Sequence, residues 1–529
     1  GSGVVYYCSY GGGECIEWQA RHPEAKPVEL ILRNGKFSSQ GGKYAGQKTV
    51  EARKNIIEDL QKAGAIEKIE PIKHTVFVHE RCQTDVEYIE TEQWFIKLLD
   101  KKDELLKRGQ ELRWFPERWR KNYENWVGGL KWDWCISRQR YYGVPFPVWY
   151  CKNCGKIIVA SENKLPVDPM EEESEIKICD SCGSSEIIPE TDVMDTWMTS
   201  SLTPIIASRL VSDEKLREKL YPMTLRPQAF EIIRTWLFYT IAKSHFHHNQ
   251  LPFQNAMISG HGLDEQGRKI SKRLGNYIAP DKIIAEYGAD ALRYWATGAA
   301  LGENMRYSSD EVKMGKKTIN KLWNAAKFSF SHLENFDLEK SSLDNLEPAD
   351  QWILNELLET LQAVEKYFEE YEYSKARNRI ETFFWNSFTD NYLEFIKYRL
   401  YDDGDSVSAK AAKVVLYQCL LAIIKMYAPI MPFITEEIYQ SFFKKFEKEK
   451  SIHISTWPEI KESWKMDDNL KKEFTQIIGI ISDIRKFKSE KNISLGKEIE
   501  NFEIKAEIDL AKYEKFICKA TRVKSLTKK

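Results

Sequence analysis

The stretch GHGLDEQGRKISKRLGN, residues 260–276, decides how the rest of the chain is read. Lys269 and Lys272 stand three apart in a loop bracketed by Gly267 and Gly275. Two compact ammonium groups on a flexible loop can close over a polyphosphate, where they stabilise charge developing on a leaving pyrophosphate. A surface lysine pair is common on its own, so the weight of this one comes from its surroundings.

Upstream, C-K-N-C-G (151–155) and C-D-S-C-G (179–183) are two matching knuckles, with 24 residues between Cys154 and Cys179. Two residues between thiols let both sulfurs reach one tetrahedral ion. The glycine after each pair allows the positive φ that turns backbone N–H groups toward sulfur. Cys151, Cys154, Cys179 and Cys182 are therefore expected to hold a structural Zn²⁺, because four thiolates leave no open coordination position. Cys8, Cys15, Cys82, Cys135, Cys419 and Cys518 lack such spacing and default to packing. Ten Cys in 529 residues is not a disulfide scaffold, and a reducing cytoplasm suits this usage.

With 42% hydrophobic and 30% charged residues, the chain has an ordinary globular composition and length for about three to five domains. Lys+Arg of 78 against Asp+Glu of 79 excludes a uniformly basic nucleic-acid coat, though not a locally basic face. Residues 101–140 hold 11 Lys/Arg against 6 acids, with Trp at 114, 119, 126, 132 and 134. That mixture suits phosphate contact and base stacking, but a solvated helix over a Trp-rich core is the preferred reading. Residues 481–529 are also basic, 13 against 8, whereas 165–195 carry ten acids and one Lys. Neither a signal peptide nor a membrane span is expected. The most apolar run, 414–434, contains Gln418 and Lys425 and is broken by Pro429 and Pro432. The opening GSG reads as an expression scar or as a start inside a domain.

Alternation in HTVFVHE (74–80) predicts a strand, and residues 49–63 predict a short helix. From Lys316 the pattern turns helical, with Ile319, Leu322, Trp323 and Ala326 at i, i+3, i+4 and i+7. Amphipathic segments at 349–371, 374–401 and 409–427 predict a helical bundle, with 402–405 as a polar connection inside it.

KISKR with the following LGN resembles the KMSKS signature of class I aminoacyl-tRNA synthetases, Ile270 standing for Met and Arg273 for the final Ser. The likeness extends through WCISRQRYYGVPFPVWYC (134–151), ETDVMDTWMTSSLTP (190–204), RPQAFEIIRTW (226–236), ADALRYWATGAALGENMRYS (289–308) and PIMPFITEEIYQ (429–440). Together these resemble the valyl-tRNA synthetases in their archaeal-like form. The resemblance implies an α/β plus all-α chain, part of a class I Rossmann-like catalytic domain with a partial β-rich editing insertion. The implied boundaries are editing 1–95, catalytic 96–150, zinc ribbon 151–185, catalytic continued 186–262 and KMSKS-loop linker 263–315. A helical anticodon-binding domain at 316–460 and a small α/β segment at 461–529 complete the chain.

The family's reaction joins valine and ATP as valyl-adenylate, with Mg²⁺ accompanying ATP, and then transfers valine to tRNA(Val). By the same resemblance, Lys269 and Lys272 are the catalytic pair, and Gly260, His261 and Ser271 join them in binding ATP; His261 also suits plain packing. Trp197, Glu231, Ile232 and Trp236 match the amino-acid pocket, with a core role the simpler reading for Trp236. Glu231 replaces the family's usual Asp, so one extra methylene can shift a contact to the substrate ammonium. The complete enzyme is expected to be a cytoplasmic monomer with no membrane partner.

Two departures stand out. No HIGH-type motif occurs in these residues, and GSGVVYYCSYGG resembles the middle of the editing insertion. The expectation is a chain lacking its N-terminal region and inactive by itself. In the editing segment the family's two Asp positions hold Gly12 and Cys15, with Glu14 or Glu17 as possible stand-ins, so editing is expected to be weak or absent. The alternatives are a tRNA-binding protein without catalysis, one subunit of a split synthetase, and the isoleucyl sibling.

Overall fold

The structure is a computed structural model. It describes all residues except 1, 2, 4–7, 9, 74, 80, 81, 334–336, 338–342, 344, 403–405, 506–508 and 529. The GSGVVYY start and the 402–405 connection therefore lie largely outside the described residues. The chain forms two compact units, each interrupted by the other: Gly1–Lys97 with Asp133–Asp195, and Leu98–Trp132 with Thr196–Lys529.

In the first unit the helix predicted at 49–63 spans Thr49–Lys62, but it buries only Ala52. Of the strand predicted at 74–80, the described residues 75–79 form no regular strand. They carry one isolated bridge, Val78 to Asp85, and Phe77 is 72% exposed. The alternation is there, but a hairpin without a third strand or an apolar face to cover is marginal in water. The ribbon is better built. Val148–Cys151 pairs antiparallel with Ile157–Val159 on one side and Ile187–Pro189 on the other, over a small core of Trp149, Ile158 and Val167.

The second unit opens on a parallel three-stranded sheet: β1 (Arg113–Phe115), β2 (Met223–Ala229) and β3 (Phe253–Ser259), in the order β1-β3-β2. Pro227 inside β2 is tolerated because β2 is an edge strand among the described residues. Helix α1 (Phe238–His248) connects β2 to β3. It buries Phe238, Ile241 and Ala242, and the sheet buries Phe253, Ala256 and Ile258 of β3.

The bundle follows: α2 (Ser309–Leu333), α3 (Pro348–Glu369), α4 (Tyr373–Thr382), α5 (Leu393–Asp402), α6 (Val407–Tyr427) and α7 (Asp468–Glu490). The one segment predicted at 374–401 runs as α4 into α5 through a π-helical stretch, Phe383–Tyr392. Helix α6 is long and apolar enough to cross a membrane, yet Val415, Leu416, Leu420, Ile423 and Ile424 are all fully buried in the bundle core. At the end of the chain, Ile499–Ile504 pairs parallel with Val523–Lys528. The buried Lys488 ties this segment to α7 by donating to the carbonyls of Leu495, Lys497 and Thr521.

Candidate functional site

Open parallel sheets bind ligands beyond the carboxyl ends of their strands. The 3₁₀ turn Phe230–Ile232 directly follows β2 and sets Glu231 at that edge; Gly260 and His261 directly follow β3. Gly260 lies so close to the backbone of Glu303 and Asn304 that a Cβ there would collide with it. The His261 N–H donates to Asn304 Oδ1 at 2.9 Å. Its ring meets Phe230 edge-on at 4.5 Å, and Phe230 stacks on Trp119 at 4.8 Å.

The 260–276 stretch is a hairpin held by its own side chains. Leu263 bridges Lys269, the Ile270 N–H donates to Gly262 O at 3.1 Å, and Gly267 turns the chain at φ 82°. Asp264, only 4% exposed, accepts the N–H groups of Gln266 and Arg268 at 3.0 and 2.8 Å. Its other oxygen accepts from Arg268 Nε at 2.8 Å and Asn276 Nδ2 at 2.9 Å. These donors, Asn276 foremost, pull its carboxyl down to about 2. Asn276 also donates to Lys269 O at 3.0 Å and accepts from the Ser271 N–H at 2.9 Å. Neither Asp264 nor Asn276 was expected at the site, although Asp at the head of a D-x-x-G turn is legible turn chemistry.

Of the expected residues, Glu231, His261 and Lys269 come together. Lys269 Nζ lies 2.9 and 3.0 Å from the two Glu231 oxygens, and His261 Nδ1 lies 3.8 Å from the second. The Lys269 contact draws the Glu231 carboxyl below the usual range. Lys272 is exposed and opens a short turn capped by Ser271 Oγ, which accepts the Leu274 N–H at 3.2 Å.

Trp197 lies on the short helix Thr196–Ser200, half-buried like Ile232. Trp236 is enclosed. The Arg226 guanidinium covers one face at 3.1 Å from the ring centroid, Phe253 stacks at 6.1 Å, and Nε1 donates to Ser200 O at 3.1 Å. Burial pulls Arg226 down to about 10. Lys243, also unexpected, is buried beside them, donating to Met198 O at 3.2 Å, with its ammonium pulled below the ordinary range by burial. In the His245–His248 run, His245 Nε2 lies 2.8 Å from Glu104 and Nδ1 accepts from Arg108 Nε at 3.2 Å.

In the first unit the sulfurs of Cys151, Cys154, Cys179 and Cys182 all lie within 4.8 Å of one another. Cys151–Cys182 and Cys154–Cys179 are 3.5 and 3.6 Å apart. A tetrahedron with Zn–S of about 2.3 Å has edges of about 3.8 Å, so the cluster fits zinc. The knuckles are twins. Gly155 N donates to Cys151 O and Gly183 N to Cys179 O, both at 2.8 Å, and the glycines turn at φ 71° and 72°. Elsewhere in this unit Gly12 precedes the helix Gly13–Arg21, with Glu14 exposed in its first turn and Cys15 beside it.

A family model described as tRNA synthetases class I (I, L, M and V) matches residues 22–308. A second, the anticodon-binding domain of tRNA ligase, matches 350–504. The chain is 39% identical to the valine–tRNA ligase of Haloarcula marismortui, over 99% of this chain and 57% of that protein. It is 40% identical to the valine–tRNA ligase of Thermoplasma acidophilum, over 99% and 66% respectively. The chain thus spans 57–66% of the length of these curated relatives. Among solved structures it is similar to Agrobacterium radiobacter K84 LeuRS in a ternary complex with tRNA and LeuAMS. That match has a TM-score of 0.51 and 23% identity, over 64% of this chain and 43% of that one. It is also similar to Mycobacterium tuberculosis methionyl-tRNA synthetase in complex with methionyl-adenylate, with a TM-score of 0.50 and 20% identity over 69% and 65%.

Proposed function

Because this chain belongs to the class I tRNA synthetases, we propose that it serves in valine–tRNA ligation, activating valine with ATP and passing it to tRNA(Val). The observation that carries this reading is the lysine hairpin folded back on the carboxyl edge of a parallel sheet, in a chain about 40% identical to valine–tRNA ligases. Lys269 and Lys272 would neutralise the departing pyrophosphate, with Gly260, His261 and Ser271 bordering the nucleotide and Mg²⁺ accompanying it. Trp197 and Ile232 would meet the valine side chain, and Trp236 would back them from the core. The boundaries at 95, 150, 185, 262, 315 and 460 belong to this reading, with α7 of the segment after 460 packed into the bundle core, as does a monomer working in a reducing cytoplasm. Charging of tRNA(Val) by the full-length protein tests it. Valine should be esterified to tRNA(Val) and not to tRNA(Ile), and the reverse preference would point to the isoleucyl sibling.

The four thiolates would hold one Zn²⁺ that stabilises the ribbon and takes no part in the chemistry. Elemental analysis should return about one zinc per chain. Cys179→Ser should lower that content and expose 151–189 to protease; a metal-free protein with an intact ribbon would contradict the assignment.

Threonine is nearly isosteric with valine, so an apolar pocket separates the two poorly. With Gly12 and Cys15 at the two aspartate positions, hydrolysis of Thr-tRNA(Val) should be weak. Glu14 is solvated on the first turn of its helix, which does not favour it as a replacement. Rapid deacylation of Thr-tRNA(Val) by the full-length protein would overturn this.

A further inference from the structure

Glu231 and Lys269 both lie in the site, but the chemistry proposed above makes no use of the contact between them. Both carboxylate oxygens face one ammonium at 2.9 and 3.0 Å, so two of its three N–H donors are committed before any nucleotide arrives. The contact spans 38 residues, joining the turn after β2 to the arm of the lysine hairpin. It is not what holds the hairpin in place. Asp264 and Asn276 fix the loop from within, and the short strand Met305–Arg306 pairs with its root at Gly262–Leu263. What Glu231 adds is a negative charge, at the point where a polyphosphate would bind.

We propose that Glu231 is a positioning residue that parks Lys269 and competes with the nucleotide's polyphosphate for it. This rests on reading the loop as the ATP clamp. Lys269 and Glu231 are 49% and 54% exposed, so solvent screens the pair and its strength is bounded. A polyphosphate carries several charges against the carboxylate's one, and therefore displaces it. Glu231 also repels the incoming nucleotide, but at 54% exposure solvent screens that repulsion to a minor share of the effect. Both act on binding rather than on the chemical step, because Lys269 has already changed partners when the phosphate bond breaks. His261, 3.8 Å from Glu231, is the other group facing the carboxylate and can keep it company once the lysine has left. A shorter Asp in this position would reach less far, which gives the extra methylene of Glu231 a consequence.

The test is the ATP dependence of amino-acid-driven exchange in the full-length protein, comparing wild type, Glu231→Gln, Lys269→Met and the double variant. Glu231→Gln should lower the KM for ATP by two- to fivefold, the upper end being what an exposed pair worth about 1 kcal/mol allows. It is measured at saturating valine, so that a contact of Glu231 to the substrate ammonium moves the KM for valine and not the KM for ATP. In the Lys269→Met background the substitution should lose most of this effect. An unchanged or raised KM for ATP in Glu231→Gln, or the same decrease with Lys269 absent, overturns the proposal. If no amino acid drives exchange, the ligase reading fails instead. Equilibrium binding of inorganic tripolyphosphate then decides the latch: tighter binding by Glu231→Gln supports it, and equal or weaker binding refutes it.

Discussion

Lys272→Ala in the full-length protein is expected to lower kcat for valine-dependent ATP–pyrophosphate exchange by about 10²–10³-fold, the usual cost of removing one preorganised donor to a developing charge. Lys272 is exposed, at the start of a turn whose backbone is capped by Ser271 and braced by Asn276. Its position is therefore set by the loop and survives truncation of the side chain. The loss should fall on kcat, with the KM for valine nearly unchanged, because the ammonium acts on charge that appears only as pyrophosphate leaves. Lys269→Ala should show a mixed effect, since part of that side chain's interaction is already spent on Glu231. A Lys272→Ala enzyme within about threefold of wild type would remove this residue from the mechanism.

The largest expected loss of stability is in the bundle. Asp350 is fully buried in the first turn of α3, where it accepts the Glu347 N–H at 3.0 Å in a capping box. Arg399 on α5, 2% exposed, grips it with two bonds of 2.9 and 2.8 Å, and Tyr392 Oη donates a third at 2.8 Å. Arg399→Met should destabilise the bundle by about 3–5 kcal/mol, because it leaves a buried carboxylate with its charge uncompensated. Adding Asp350→Leu should recover much of that loss, since replacing both partners removes the orphan charge. Denaturant unfolding followed in the bundle checks both. A single variant that costs under about 1 kcal/mol would mean that water reaches Asp350.

The features legible in the sequence were those with a local period or fixed spacing. The helix Ser309–Leu333 followed from apolar positions recurring every three or four residues, and Val407–Tyr427 from its long apolar run. The twin knuckles followed from C-x-x-C-G, and the loop lysines from their motif. Pairings between distant side chains left no such trace. Glu231 with Lys269, Asp350 with Arg399, and Arg226 over Trp236 are set by the fold that brings their elements together. The described residues of the strand expected at 74–80 form only one bridge for a related reason: alternation reports a strand's two faces but not how much pairing its neighbours supply. The parallel sheet followed from the family resemblance and not from local pattern. The three residues of β1 are too few for a period, and Pro227 argues against a strand except at an edge.

The activity proposed for this chain is the activation of valine with ATP. Its most direct test is amino-acid-dependent ATP–pyrophosphate exchange by the full-length protein, with valine, isoleucine, leucine and methionine compared at equal concentration. Valine should give the highest kcat/KM, exceeding the larger side chains by about 10–200-fold or more, the discrimination available from a single methylene. A protein that exchanges with isoleucine, leucine or methionine as fast as with valine, or with none of the four, would contradict it.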